Sequence, residues 1–144
     1  MADQADAGFR LDHTGMAVAD LTAARAWFCD VFGLRPELTL RVEALALDIE
    51  MLIHPEYGYR LELLHRPGSA ADKPASPAEA ALREGYGHIA FEVDDVEGAL
   101  QRLLDNGGQR LGRISRTAVS GVGELEITYA RDPEGNIIEL QHWS

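Results

Sequence analysis

The chain has 144 residues, of which 46% are hydrophobic and 26% charged, and 13 basic against 24 acidic residues give a formal net charge of −11. That length and composition suit one globular domain. The negative charge repels nucleic-acid backbones and anionic membranes, no apolar run reaches the ~20 residues of a membrane span, and Cys29, as the only cysteine, excludes an internal disulfide. We therefore expect a cytoplasmic protein that acts on a small molecule and binds neither nucleic acid nor a membrane.

The sequence repeats itself at a spacing of 75 residues. Five identical pairs share this offset: His13 and His88, Val18 and Val93, Asp20 and Asp95, Ala24 and Ala99, Gly33 and Gly108. We divide the chain into a disordered leader (residues 1–9), a first module (10–66), a linker (67–84) and a second module (85–144). Because each module alone is too small to bury a convincing core, the two should pack as one domain.

Each module opens with a short apolar run typical of a strand, and an aspartate at a helix N-cap position, Asp20 or Asp95, follows it. Apolar residues at helical spacing then predict helices that end at Gly33 and at the Asn106-Gly107-Gly108 cluster. The predicted helices cover 21–31 and 96–104, with a short one at 76–82 in the linker. The predicted later strands cover 38–47, about 50–54 and 59–65 in the first module, and 110–117, 124–130 and 136–142 in the second. Turns are predicted at 55–58 and 132–135. Each module is therefore βαβββ, and the fold class is α+β.

Two glutamates interrupt apolar strands at equivalent places in the two modules. Glu62 and Glu139 lie in the last predicted strands, 77 positions apart, so each module offers one histidine from its first strand and one glutamate from its last. If the modules pack about a pseudo-twofold axis, these four side chains meet. Two imidazoles and two carboxylates suit Ni, Co, Mn, Zn or Fe(II) and leave positions for water or substrate. Taken singly, such a glutamate is also typical of a solvated outer face, and such a histidine of a structural hydrogen bond.

The remaining candidate side chains have weaker patterns. His54, His65 and His142 have no partner in the repeat and lie near strand ends, so we interpret them as surface or supporting groups. Cys29 follows Phe28 in a predicted helix, where burial is the more common role.

Three segments together resemble the vicinal oxygen chelate superfamily, which includes glyoxalase, methylmalonyl-CoA epimerase, extradiol dioxygenases and antibiotic-resistance proteins. They are Asp12–Leu21, Tyr86–Asp95 and Asp132–Leu140. The resemblance runs from about residue 10 to 143. It implies two pseudo-symmetric βαβββ modules that form a cupped mixed sheet around one divalent metal ion. It also implies a homodimer, built from two complete sites or by exchange of modules. The metal ligands that it implies are His13, Glu62, His88 and Glu139.

The full set of four ligands is similar to the glyoxalase I and epimerase branch, in which a metal polarises a carbonyl while a carboxylate moves a proton. We therefore expect a metal-dependent isomerase or lyase acting on a small oxo compound or thioester. Glu139 is our candidate general base, with Glu62 or Glu43 on the opposite side of the substrate.

Two alternatives stay open within the same superfamily. One alternative is a ring-cleaving dioxygenase, which uses two histidines and one glutamate to bind iron, so that Glu62 has no role. The other is a metal-free antibiotic-binding protein, although such members lack the ligands. The branch itself also leaves the substrate open. Ala17 stands where bacterial glyoxalase I usually carries an arginine for the glutathione carboxylate, and Glu62 stands where epimerases normally have a glutamine.

Overall fold

The computed structural model describes residues 8–144, which form an α+β fold with two mixed sheets. This confirms the predicted fold class. Residues 1–7 of the expected leader lie outside the described part, and Gly8 and Phe9 are exposed. The chain divides into two compact units, the first ending at Ser69 and the second beginning at Ala70. No helix between residues 8 and 144 is long and apolar enough to cross a membrane.

The first unit packs one helix against a four-stranded sheet. Its elements are β1 (Thr14–Ala17), α1 (Leu21–Phe32), β2 (Arg35–Val42), β3 (Leu47–Ile53) and β4 (Arg60–His65). The strand order is β1-β4-β3-β2, with β1 parallel to β4 and the other pairs antiparallel. As predicted, α1 begins at the N-cap Asp20 and ends at Gly33, which has a left-handed φ of 69°. Phe28 of α1 and Leu61 and Leu63 of β4 are at most 2% exposed, so the core lies between the helix and one face of the sheet.

The second unit repeats this plan with one more strand. Its elements are α2 (Pro77–Ala80), β5 (Ile89–Glu92), α3 (Val96–Asp105), β6 (Gln109–Arg110), β7 (Ser115–Val119), β8 (Gly123–Arg131) and β9 (Ile137–Trp143). The strand order is β5-β9-β8-β6, and β7 also pairs with β8. Asp95 is the N-cap of α3, as predicted, and Leu100 and Leu103 of α3 are buried with Ile138 and Leu140 of β9.

Two predicted strands are wrong in their extent. The strand predicted at 38–47 is β2, which starts at Arg35 and ends at Val42, because a 3-10 turn at Glu43–Leu45 and a left-handed Ala46 (φ 49°) interrupt the chain there. No glycine, proline or asparagine marks this turn in the sequence. The strand predicted at 110–117 is broken into β6 and β7, which pair with different stretches of β8.

The predicted turn at 132–135 sets the entry into β9 and therefore the position of Glu139. Asp132 is 3% exposed, and its carboxylate accepts hydrogen bonds from the backbone amides of Glu134 and Asn136 and from the Asn136 side chain. Gly135 takes a φ of 91°, a conformation that favours glycine. The buried carboxylate thus replaces water as the partner of the turn's backbone amides.

Candidate functional site

The structure brings each predicted histidine together with the predicted glutamate of its own unit. His13 Nε2 lies 3.7 Å from a carboxylate oxygen of Glu62, and His88 Nε2 lies 3.1 Å from a carboxylate oxygen of Glu139. Two ligands at metal-bonding distance from one ion lie about 3.0 to 3.5 Å apart, so both pairs are close to chelating spacing. The same distances also suit an ion pair with a protonated histidine. Within residues 8–144 no group of three or more His, Cys, Asp or Glu side chains is placed to hold a metal, so each unit by itself contributes a pair.

Strand alternation points both glutamates away from the helices. Leu61 and Leu63 on either side of Glu62 are buried in the core, so Glu62 projects from the other face of the sheet. Gly15 is its neighbour on β1, and a Cβ added at Gly15 would lie only 3.2 Å from a Glu62 oxygen. The glycine therefore leaves room for the carboxylate, a role that the sequence pattern did not reveal.

Asp12 supports the first pair. Its carboxylate lies 2.7 Å from His13 Nδ1. This hydrogen bond raises the pKa of His13 and lowers the pKa of Asp12. A carboxylate partner at Nδ1 fixes the ring and its tautomer, so that Nε2, the nitrogen nearest Glu62, is the one available as a ligand.

Tyr129 supports the second pair. It lies directly opposite Glu139 across β8 and β9, and its ring meets the His88 imidazole edge-on, with centroids 5.9 Å apart. Burial, and then the contact with Glu139, raise the pKa of Tyr129, so the phenol stays protonated at neutral pH. Glu139 itself is 8% exposed, whereas the His88 side chain is 41% exposed. The carboxylate is therefore enclosed and the imidazole is accessible.

A cavity of about 640 Å³ opens beside this second pair. Small residues of the segment 77–87, including Ala78 and Ala81, form one wall, and His88 and Tyr129 also line it. Arg83 lies at the same cavity, but its guanidinium is already paired with Asp72 and Glu79. The segment between the modules, which the sequence predicts only as a linker, thus contributes a mostly small-residue wall next to His88.

Glu43, the third candidate base, lies on the exposed turn after β2. Its side chain is 80% exposed, and its carboxylate accepts a hydrogen bond of 3.0 Å from Arg41. Glu43 therefore forms an ion pair with Arg41 at the surface. None of the interactions found among the described residues joins Glu43 to His13 or Glu62.

The interpretation that His65 and His142 lack a partner in the repeat is wrong. The Nδ1 atoms of His65 and His142 lie 3.0 and 2.9 Å from the carbonyl oxygens of Val18 and Val93, so both histidines make the same contact in the two units. They are 77 positions apart, like Glu62 and Glu139. The histidine-based offset of 75 concealed them, because the spacing grows by two residues later in the modules.

The contacts of His54 and Cys29, the other two candidate side chains, indicate structural roles. His54 Nδ1 accepts hydrogen bonds from the backbone amides of Glu56 and Tyr57, which caps the predicted turn at 55–58. Burial raises the pKa of the Cys29 thiol, which opposes a nucleophilic role.

Comparison with known proteins adds to this geometry. The sequence profile of the glyoxalase/bleomycin resistance protein/dioxygenase superfamily matches residues 10–140. The lactoylglutathione lyase of Salmonella typhimurium is 31% identical over 142 residues, which cover 91% of this chain and 90% of that protein. The probable lactoylglutathione lyase of Synechocystis sp. is 27% identical over 137 residues, covering 89% and 91%.

Two solved structures share the fold. A glyoxalase family protein from Bacillus cereus has a TM-score of 0.75 at 24% identity and covers 99% of this chain and 98% of its own. A fosfomycin resistance protein from Listeria monocytogenes has a TM-score of 0.67 at 17% identity, with 94% of each chain covered. At these identities the likeness establishes the fold and leaves the chemistry to the site residues.

Proposed function

The chain belongs to the glyoxalase/bleomycin resistance protein/dioxygenase superfamily, and on that premise we propose that it is a divalent-metal-dependent lyase or isomerase of the glyoxalase type. It moves a proton next to the carbonyl of a small oxo compound or thioester. The observation that supports this most directly is the pairing of one histidine Nε2 with one glutamate carboxylate in each unit, at 3.7 and 3.1 Å.

The donor set fits a metal ion. His13, Glu62, His88 and Glu139 would hold it together, and two neutral imidazoles with two carboxylates balance the charge of a divalent ion such as Ni, Co, Mn, Zn or Fe. When bound, such an ion polarises a substrate carbonyl and makes the adjacent C–H more acidic.

Glu139 is the proposed general base. It takes the proton from the carbon next to the carbonyl and returns it to an adjacent carbon, so no oxidant or reductant is consumed. Its burial keeps bulk water from the carboxylate, and a positioned base of this kind contributes about 10²- to 10⁴-fold to the rate. Glu62 is proposed for the opposite side of the substrate, and of the three carboxylates Glu43 has the least structural support.

Two observations bear on the substrate class: the names of the relatives and the residue at position 17. The relatives include a lactoylglutathione lyase and a probable lactoylglutathione lyase, so a glutathione adduct of an oxoaldehyde is the first substrate to assay. Ala17 lacks the positive charge with which bacterial glyoxalase I meets the glutathione carboxylate. We therefore expect a smaller or less charged thiol adduct, or a free oxo compound, to be used at least as well.

The reaction is tested with metal-stripped protein reloaded with each ion and assayed in deuterated water. We expect one ion per chain, and solvent deuterium in the product. Glu139→Gln should abolish deuterium exchange with the fold intact, and His88→Ala should lose the ion. The control His54→Asn, which keeps an acceptor at the turn, should retain metal binding and deuterium exchange. Absence of metal binding to the wild-type protein would refute the proposal.

The dioxygenase alternative is separated by oxygen. Proton transfer should proceed equally under anaerobic conditions. Cleavage of a catechol that requires Fe(II) and oxygen would instead assign the chain to the ring-cleaving members of the superfamily.

We also propose a homodimer with two metal sites, because members of this superfamily commonly pair and the linker at 67–84 is long enough for modules to be exchanged. Sedimentation should give the dimer mass at micromolar concentration. A monomer under these conditions would contradict this part of the proposal.

A further inference from the structure

The cavity beside His88 has a size suited to a small ligand. Its volume of about 640 Å³ lies within the range of roughly 300–1,000 Å³ that is typical of small-molecule sites. Ala78 and Ala81 belong to its small-residue wall, and His88 also lines it. A substrate whose carbonyl lies at the second pair would therefore place its remaining atoms against the segment 77–87.

The charged side chains at this cavity are mostly acidic. Among the described residues that line it, Arg83 is the only lysine or arginine. One terminal nitrogen of its guanidinium is paired with Asp72, and the other lies 3.0 Å from a carboxylate oxygen of Glu79. Glu84 lines the cavity as well. Three carboxylates thus stand against one guanidinium, so this wall has a net negative charge.

Two further cations of the second unit are engaged elsewhere. The Lys73 ammonium donates a hydrogen bond of 2.5 Å to the side-chain oxygen of Asn136. The Arg131 guanidinium donates to the backbone carbonyls of Gly135 and Pro74, at 2.8 and 2.7 Å. Neither cation lines the cavity. They tie the linker to the turn before β9, and they leave the negative charge of the cavity wall in place.

From these charges we infer that the cavity beside His88 selects against anionic substrates, and that the natural substrate is a neutral or amine-bearing oxo compound or thiol adduct. The inference rests on the proposed function, which places the reacting carbonyl at His88. An anionic group that enters the cavity gives up part of its hydration and gains no unpaired cation, while the carboxylates repel it. Such a repulsive element is a common source of specificity.

A matched pair of substrates tests the charge without a change of chain length. The methylglyoxal adduct of glutathione carries two carboxylates and one ammonium group, whereas the adduct of glutathione dimethyl ester keeps only the ammonium. We expect the wild-type protein to have the higher kcat/KM with the ester adduct. The difference should shrink in about 0.5 M salt, because salt screens partly exposed charges. A higher kcat/KM with the glutathione adduct would overturn the inference.

A double variant tests the residues that carry the charge. Asp72→Asn with Glu79→Gln removes both negative charges, and the amide oxygens can still accept the hydrogen bonds of Arg83. We expect kcat/KM for the glutathione adduct to rise about 5-fold, the size of effect that partly exposed ion pairs have, with no rise for the ester adduct. The control is Glu56→Gln with Asp105→Asn, which alters the net charge equally at exposed positions away from the cavity. An equal rise in the control would contradict a local effect of the cavity.

Calorimetry with non-reactive ligands gives a readout that does not depend on turnover. The S-hexyl thioether of glutathione dimethyl ester should bind the full-length wild-type protein more tightly than the S-hexyl thioether of glutathione. The Asp72→Asn, Glu79→Gln variant should narrow this difference, and the control variant should keep it. Equal affinities, or no binding of either thioether to the wild type, would overturn the inference. If the protein moved no proton in any oxo compound, the proposed function would fail, and calorimetry would still decide whether the cavity selects by charge.

Discussion

A buried hydroxyl on β8 marks a place where the core is not optimised for stability. Thr128 is 1% exposed, and its Oγ1 has no hydrogen-bond partner within the part of the chain that the structure describes. Leaving a buried donor and acceptor unsatisfied costs about 1–3 kcal/mol. Thr128→Val, which keeps the shape, should therefore raise the free energy of unfolding by about 1 kcal/mol in urea titrations. Thr117→Val, at an exposed position of β7, is the control and should change it by less than about 0.5 kcal/mol. A destabilised Thr128→Val variant would contradict this account.

The buried carboxylate of Asp132 makes stability depend on pH. Burial raises its pKa above the ordinary value of 3.8, against the opposing effect of hydrogen bonds from Asn136. The folded protein therefore binds this proton more tightly than the unfolded chain. The resulting stabilisation is complete below the unfolded pKa and is lost as the pH rises through the folded pKa.

Asp132→Asn isolates this effect, because the amide cannot ionise. The unfolding free energy of the variant minus that of the wild type should increase between about pH 4 and about pH 7. Chemical denaturation at intervals across that range measures the difference. A difference that is constant or decreases with pH would show that the pKa of Asp132 is not raised by folding.

Some site residues could be predicted from the sequence and others could not. Glu62 and Glu139 could be, because a charged residue that recurs inside two apolar strands breaks the pattern twice. Tyr129 could not, because a tyrosine in a strand is ordinary and its contact with Glu139 depends on the β8 and β9 register. His65 and His142 were missed because the repeat spacing shifts from 75 to 77.

Helices were predicted more accurately than strands because their ends carry signals. Asp20 and Asp95 cap α1 and α3 as expected. The turn after β2 carries no such signal, since its left-handed residue is Ala46, with φ 49°. Alanine rarely adopts that conformation. The residue types of this segment therefore predict a continuous strand.

The two long helices offer a matched stability test at their first turns. In α3 the N-cap Asp95 bonds the amide of Gly98, and a Cβ added there would fall on the Asp95 carboxylate. In α1 the equivalent residue is Ala23, whose backbone amide still donates a hydrogen bond of 2.9 Å to the Asp20 carboxylate. A small rotation of the carboxylate therefore accommodates alanine.

Gly98→Ala should stabilise the protein by about 0.5–1 kcal/mol, because glycine is the poorer helix former. The reverse change at the equivalent site, Ala23→Gly, should destabilise it by a similar amount. Thermal and urea unfolding of both variants provide the measurement. Loss of stability in Gly98→Ala would mean that Asp95, unlike Asp20, cannot rotate without losing its cap.

For the whole molecule, the repeat predicted two similar units but not how they combine. Each unit has its own sheet and its own buried residues, and the linker joins them. The proposed centre needs one pair from a first unit and one from a second. In a homodimer these can come from the same chain or from two different chains.

Heterodimers of complementary variants distinguish these arrangements. One chain carries His13→Ala and Glu62→Gln, and the other carries His88→Ala and Glu139→Gln, each with a different affinity tag for tandem purification. Because the linker is long enough for modules of two chains to pair, we expect the heterodimer to contain one complete site and one empty of ligands. It should show about half of the wild-type activity and bind one ion per dimer.

The two homodimers of these variants, each lacking one pair at every site, are the controls and should be inactive. A heterodimer that is stable by sedimentation but equally inactive would show that each chain builds its centre from its own two units. Metal content measured on the same samples separates that result from a complete but slow site, because a complete site still binds its ion, whereas a site that lacks a pair does not.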